Sequence, residues 1–154
     1  MTKFNLKVFI VCILIVFIVA GVGSIFTSSG TNSEWYKTIR PSITPPSFIS
    51  PIVWSILFFL IAISLYITWI SSKKPKNQII IAFGINFILN ILWSFFYFYL
   101  HNPVASFIDI IFLEISIVTL IFITYKINRK ASYLLIPYFM WVTFASVLNF
   151  LSIL

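Results

Sequence analysis

The chain has 154 residues, of which 61% are hydrophobic and only 8% are charged. Soluble domains contain about 25% charged residues, so a water-soluble fold is excluded. The formal charge is +7, but the basic residues lie in short segments between apolar runs rather than in one patch. We therefore expect the charge to set membrane topology, and we expect no nucleic-acid binding.

Cysteine and histidine usage excludes several kinds of site. Cys12 is the only cysteine, so a disulfide within the chain, a Cys-based zinc site and CxxC redox chemistry are excluded. His101 is the only histidine, and one imidazole cannot supply the paired axial ligands of a membrane haem.

Five apolar stretches are long enough to cross a bilayer as helices, which takes about 20 residues each. The first follows Lys3 and Lys7 like a signal peptide, but its apolar run is longer than a signal core, so we interpret it as a helix. We predict an all-α integral membrane protein, a single five-transmembrane-helix bundle spanning residues 1–154. The predicted helices are about 8–26, 51–70, 79–100, 104–125 and 132–154.

The distribution of Lys and Arg predicts the orientation of the bundle. Eight of the ten lie before helix 1 or in the loops after helices 2 and 4. Only Lys37 and Arg40 lie on the other side. By the positive-inside rule, the amino terminus is cytoplasmic, and loop 27–50 and the carboxyl terminus are outside.

Loop 27–50 carries two local signals. Trp35 and Tyr36 beside Lys37 are typical of an interfacial aromatic belt on a short amphipathic turn. The three prolines of segment 40–46 stiffen the chain in extended geometry. This segment is either a rigid lid over one end of the bundle or a stiff linker that sets the angle of helix 2.

Helix 3 has a polar and aromatic face. Asn86, Asn90, Trp93 and Tyr97 are spaced by four, three and four residues. Polar amides in lipid point inward, so the asparagines either bridge helices or contact a ligand.

Helices 2 and 5 carry further aromatic side chains. Trp54 and Phe58 lie on helix 2. On helix 5, Trp141, Ala145, Leu148 and Asn149 fall on one stripe, and the small side chain of Ala145 leaves room beside the Trp141 indole. Trp93 and Trp141 lie too deep for an interfacial belt. Indoles beside asparagines suit a planar apolar ligand with a few polar edges.

Asp109 and Glu114 are the acidic residues within the predicted spans. They are five positions apart, so they point in different directions, which argues against a paired-carboxylate catalytic site. Asp109 lies near the outer end, where Arg40 or His101 could pair with it. Glu114 is expected to be protonated or hydrogen-bonded. Structural roles and proton relay both stay open.

No nucleotide-binding, hydrolase or metalloprotease motif is present. A series of motifs is present instead: Trp35-Tyr36, Arg40-Pro41-Ser42, Thr44-Pro45-Pro46, Pro51 to Phe58, Asn86, Asn90, Trp93-Ser94, and Pro137 to Asn149. With these motifs in order, nearly the whole chain resembles the tryptophan-rich sensory protein and translocator protein (TspO) family, also called peripheral benzodiazepine receptors.

The resemblance implies a five-helix bundle, usually dimeric, whose inter-helix pocket is capped by the first loop and binds protoporphyrin IX or related tetrapyrroles, with no obligatory cofactor. The implied ligand-binding residues are Tyr36, Pro45, Trp54, Phe58, Asn90, Trp93, Trp141, Ala145 and Leu148. Trp54 and Trp141 would form the catalytic pair if the protein breaks down porphyrin in light. Ile43 stands where the family often has Trp, and no specific cholesterol function is expected.

Four functional hypotheses are compatible with the sequence. The leading one is a receptor or sensor that binds a flat porphyrin-type ligand in the bilayer. The others are light-dependent porphyrin degradation, transport of such ligands, and a purely structural bundle that assembles with a partner, in which the Trp and Asn stripe is packing.

Overall fold

The computed structural model describes residues 4–73 and 75–154, and this part of the chain contains helices and no strand. The helices are α1 Leu6–Thr31, α2 Glu34–Ile39, α3 Ile49–Ser71, α4 Asn77–Ser94, a π-helical turn Phe95–Tyr99, α5 Pro103–Ile127, α6 Arg129–Tyr133 and α7 Ile136–Leu151.

Five helical stretches of the described chain are long and apolar enough to cross a membrane. Three of them are single helices: α1, α3 and α5. The fourth combines α4 with the π-helical turn, and the fifth combines α6 with α7. The predicted fold class, an all-α bundle of five membrane-spanning helices, is confirmed.

The first helix is longer than predicted. It continues past residue 26 to Thr31, through a run of Ser and Thr. These side chains bond the helix backbone: Thr27 Oγ1 donates to Gly23 O at 3.0 Å, and Ser29 Oγ donates to Phe26 O at 2.7 Å. Because the hydroxyls are satisfied locally, polar residues extend the helix beyond its apolar run.

The predicted loop 27–50 is shorter than expected, because α1 continues to Thr31 and α3 begins at Ile49. The loop also contains the short helix α2. Ser33 caps this helix by accepting a hydrogen bond from Tyr36 N at 3.1 Å. The short turn predicted at Trp35 and Tyr36 is therefore confirmed.

The third and fifth predicted helices are both irregular. The third begins at Asn77 and ends in the π-helical turn, where Leu100 N donates to Phe95 O at 2.9 Å. The fifth was predicted as continuous over 132–154, which is wrong. It begins at Arg129, breaks after Tyr133 and ends at Leu151. Pro137 follows the break in the first turn of α7, where its missing N–H is tolerated.

Hydrogen bonds between helices define the two ends of the bundle. At one end Asn5 N donates to Tyr66 Oη at 2.9 Å, and Asn128 Nδ2 donates to Ser71 Oγ at 3.1 Å. We call this the basic end, because it carries Lys7, Lys73, Lys76, Lys126, Arg129 and Lys130. Lys3 and Lys74, counted with this group in the sequence, lie outside the described residues. That the basic end faces the cytoplasm stays a prediction.

At the other end, which we call the α2 end, Tyr97 Oη and Ser152 Oγ share a hydrogen bond of 2.7 Å. Between the ends, α5 is the central helix and packs against α4, α6 and α7. Its inward stripe, recurring every three or four residues, is almost fully buried: Ile110, Leu113, Ile117 and Leu120.

Candidate functional site

The first group of predicted residues meets at Tyr138, which is fully buried in α7. We call Trp54, Phe58, Asn90 and Tyr138 the Tyr138 group. The Trp54 ring lies 6.3 Å from the Tyr138 ring in an edge-to-face arrangement and 5.4 Å from the Phe58 ring, measured between centroids. Phe58 is 9% exposed and Trp54 is partly buried. These distances fall in the range of favourable aromatic pairs.

A chain of hydrogen bonds runs from this group across the bundle. Asn90 Nδ2 donates to Tyr138 Oη at 3.1 Å, and Tyr138 Oη donates to Asn86 Oδ1 at 3.2 Å. Asn86 Nδ2 then donates to Ser116 Oγ at 2.8 Å. Both asparagines therefore bridge helices, which is one of the two roles expected from the sequence. The proposed ligand contact of Asn90 stays a prediction.

Trp93, Tyr97 and Asn149 form a second group at the α2 end, which we call the Tyr97 group. Trp93 Nε1 donates to Asn149 Oδ1 at 3.0 Å, and Asn149 Nδ2 donates to Pro103 O at 2.8 Å. The Trp93 ring stacks on the Tyr97 ring at 5.5 Å. The indole is thus held at its N–H and on one face.

The short helix α2 covers this second group. Tyr36 lies 5.6 Å from the Phe98 ring and 6.3 Å from the Tyr97 ring, and Trp35 stacks on His101 at 4.4 Å. Burial raises the pKa of Tyr36, against a smaller lowering effect of Arg40. The rings of α2 therefore cover this second group. The role of segment 40–46, as a rigid lid or as a stiff linker to helix 2, stays a prediction.

The remaining predicted residues lie apart from both groups. Trp141 lines a bilayer-facing groove of about 380 Å³ between α3 and α7, beside Val53 and Leu57. Ala145 packs against the core further along α7, and Leu148 is partly buried one turn beyond. Pro45 is partly buried in the segment between α2 and α3. In the described part of the chain, no ring contact joins Trp54 to Trp141, and their catalytic role stays a prediction.

The groove between α3 and α7 nevertheless passes close to the Tyr138 group. Val53 and Leu57, which line it, flank Trp54 in the sequence of α3. Tyr138 itself was missed as a candidate, although it lies three residues before Trp141. Asn86 and Asn90 are buried amides and require a polar partner, and this requirement could have predicted a role for Tyr138.

The two intramembrane acids have different surroundings. Glu114 Oε1 accepts a hydrogen bond from Ser146 Oγ at 3.2 Å, so its predicted hydrogen bonding is confirmed. Asp109 is 6% exposed, and its Oδ2 has no hydrogen-bond partner among the described residues. The suggested pairing of Asp109 with Arg40 or His101 is wrong, because among the described residues no ion pair or hydrogen bond joins Asp109 to either of them.

Comparison with known proteins decides the family. The family model of the TspO/MBR family matches residues 11–154. The chain belongs to the TspO/MBR family. Among similar proteins of this family, Tryptophan-rich protein TspO from Archaeoglobus fulgidus is 38% identical over 147 residues, which cover 95% of each chain.

Two further relatives show the breadth of the TspO/MBR family. Tryptophan-rich protein TspO from Chlorobaculum tepidum is 37% identical, over 90% of this chain and 89% of its own. Human Translocator protein is 24% identical, over 84% of this chain and 78% of its own. Family membership and five membrane-spanning helices together make this a multi-pass integral membrane protein.

Proposed function

We propose that this TspO/MBR protein is a membrane receptor that binds a flat, apolar ligand of the tetrapyrrole class, such as protoporphyrin IX, between α3, α4 and α7. The observation that carries the proposal is the convergence of Trp54 and Asn90 on the buried Tyr138. Aromatic faces and a few polar groups in an apolar interior are the features by which proteins recognise planar aromatic ligands.

The ligand enters through the groove between α3 and α7. This groove has Trp141 on its wall, and Trp54 lies on the adjoining part of α3. The helix break before α7 and the proline in its first turn make α7 the movable wall. A shift of α7 away from α3 opens the groove towards Tyr138 and exposes the Trp54 ring to the ligand.

In this arrangement Trp54 and Trp141 stack on the ligand, and Asn90 bonds a polar edge of it. Trp93 and Tyr36 form the end of the pocket, where α2 rests on Tyr97 and Phe98. Ala145 and Leu148 continue the wall along α7. Pro45 stiffens the segment that joins α2 to α3.

Titration with protoporphyrin IX in the dark tests the proposal. The protein is placed in nanodiscs, and porphyrin absorbance is followed. We expect saturable binding, weakened about tenfold by Trp54→Leu, because the indole surface is lost. The matched pair Phe58→Leu and Phe112→Leu supplies the control, since Phe58 is 9% exposed and Phe112 is 57% exposed. Of these two variants, only Phe58→Leu should weaken porphyrin binding.

An unsaturable response that is equal in wild type and all variants would overturn the proposal, because it would mean that porphyrin only partitions into lipid. Circular dichroism of each variant confirms that the helices are intact before titration.

A further inference from the structure

A second groove lies at the basic end, and none of the residues that line it belongs to the Tyr138 group. It has a volume of about 420 Å³ and opens towards the bilayer between α1, α3 and α4. This volume lies within the range of small-molecule sites, about 300–1,000 Å³. The lining is almost wholly apolar and includes Val11, Ile15, Leu65, Trp69, Phe83 and Gly84.

Gly84 makes the groove possible on the α4 side. A Cβ built at this glycine would meet no atom within 4 Å, apart from its own neighbours along the helix. The space in front of Gly84 is therefore not used by any helix of the bundle. Glycine in a helix interior is less stable than alanine, and close helix packing does not account for it here.

Two lysines lie beside this groove, one in its lining and the other over the ring of Trp69, which is part of the lining. Lys7 lines the groove and is exposed. The Lys76 ammonium lies 5.5 Å over the Trp69 ring and donates to Trp69 O and Ser72 O. An ammonium has three N–H donors, so Lys76 keeps one for a further acceptor.

No carboxylate of this chain balances that charge. The three acidic residues are Glu34, Asp109 and Glu114. Glu34 is in α2, Asp109 is in the turns of α5 nearest the α2 end, and Glu114 bonds Ser146 of α7. An anion beside these two lysines must therefore come from outside the chain.

The same charges disfavour a second copy of the chain as the occupant. A two-fold partner would bring the same lysines and no nearby acid, so like charges would face each other. Close helix pairs in membranes also need small residues on both sides, whereas bulky side chains wall this groove. An acyl chain is narrow and apolar, and in a phospholipid it ends at a phosphate. Membrane leaflets rich in anionic lipid attract such lysines.

We propose that this groove binds one anionic phospholipid of the bilayer, with an acyl chain along Gly84 and Trp69 and the headgroup phosphate at Lys7 and Lys76. The site is separate from the Tyr138 group and does not depend on the proposed porphyrin binding.

Native mass spectrometry of the full chain tests this proposal. The protein is released from micelles that contain equal amounts of phosphatidylglycerol and phosphatidylcholine with identical acyl chains. We expect one retained lipid, mainly phosphatidylglycerol. Gly84→Leu fills the groove and should reduce retention about tenfold. Lys7→Gln should lower the preference for phosphatidylglycerol about fivefold, the effect of one lysine near an anionic surface.

Gly21→Leu is the matched control, because a Cβ at Gly21 also meets nothing within 4 Å and Gly21 does not line the groove. Equal retention in Gly84→Leu and Gly21→Leu would overturn the proposal, as would equal retention of the two lipids by wild type. Unchanged retention with a changed oligomeric state in Gly84→Leu would identify a second copy as the occupant.

A second measurement uses Trp69 as a reporter in intact bilayers. Phosphatidylglycerol with brominated acyl chains should quench the fluorescence of wild type more than that of Trp69→Phe, and Gly84→Leu should remove the difference. Brominated phosphatidylcholine that quenches equally well would contradict anionic selectivity. Porphyrin titration of Gly84→Leu should match wild type, so that failure of one proposal is distinguishable from failure of the other.

Discussion

The two ends of the bundle use glycine on the α1 and α4 spans in opposite ways. At the α2 end, a Cβ on Gly30 would lie 2.6 Å from both Cβ and O of Phe98, so this glycine permits close contact between the spans. At the basic end, Gly84 faces the open groove. Glycine therefore allows close packing of two spans at the α2 end, whereas at the basic end it borders a groove that no helix fills.

The polar groups of the two regions differ in the same way. Between α4, α5 and α7, amides and hydroxyls bond each other across the bundle interior. Beside the basic-end groove, the charged groups are Lys7 in the lining and Lys76 over the Trp69 ring. Polar groups that bond one another stabilise the contacts between helices. Cations beside an apolar groove that no carboxylate of the chain balances favour the binding of an external anion.

The sharpest test of this contrast is alanine at each glycine. Gly30→Ala should destabilise the protein by about 3 kcal/mol, because the added methyl group meets the Phe98 backbone, which cannot rotate away. Gly84→Ala should be neutral or stabilise it by up to about 1 kcal/mol through helix propensity. Reversible unfolding in mixed micelles measures both, and equal effects would mean that the close contact at Gly30 does not exist.

The next effect concerns the hydrogen-bonded interior. Tyr138→Phe removes the hydroxyl that bonds both Asn86 and Asn90, and should destabilise the protein by about 2 kcal/mol. Tyr133→Phe is the matched control, since Tyr133 is 56% exposed. The same unfolding assay applies. A Tyr138→Phe variant as stable as the control would show that the asparagines find other partners.

The smallest effect is expected on the exposed surface of α2. Lys37 Nζ lies 2.6 Å from Glu34 Oε1, but the two side chains are 59% and 86% exposed. A double-mutant cycle with Glu34→Gln and Lys37→Gln should give a coupling energy below about 0.5 kcal/mol, decreasing with added salt. A coupling above 1 kcal/mol would mean that α2 is more deeply buried than its contacts indicate.

Local sequence signals could predict where the chain crosses the membrane, but not every helix end. The Ser and Thr residues after Phe26 were interpreted as the start of a loop, yet their hydroxyls bond the carbonyls of the preceding turn and α1 continues. Asn102, which accepts from Ala105 N at 2.9 Å before Pro103, is a helix start signal that the sequence does display.

The candidate site could be predicted only in part. The helical face of Asn86, Asn90 and Trp93 was apparent from spacing alone. The division into a Tyr138 group and a Tyr97 group was not, because Trp93 bonds Asn149 on α7 while Asn90 bonds Tyr138 on the same helix. Spacing along one helix does not reveal which neighbour each side chain meets.

The sequence by itself determined the five spans and the family motifs, because the requirement that backbone in hydrocarbon be helical acts on each segment separately. Only the tertiary structure decided which polar groups meet and which glycine is covered. Asn90 and Tyr138 are 48 residues apart in the chain. Such a pair depends on how α4 and α7 are rotated against each other, which is set by the packing of the whole bundle.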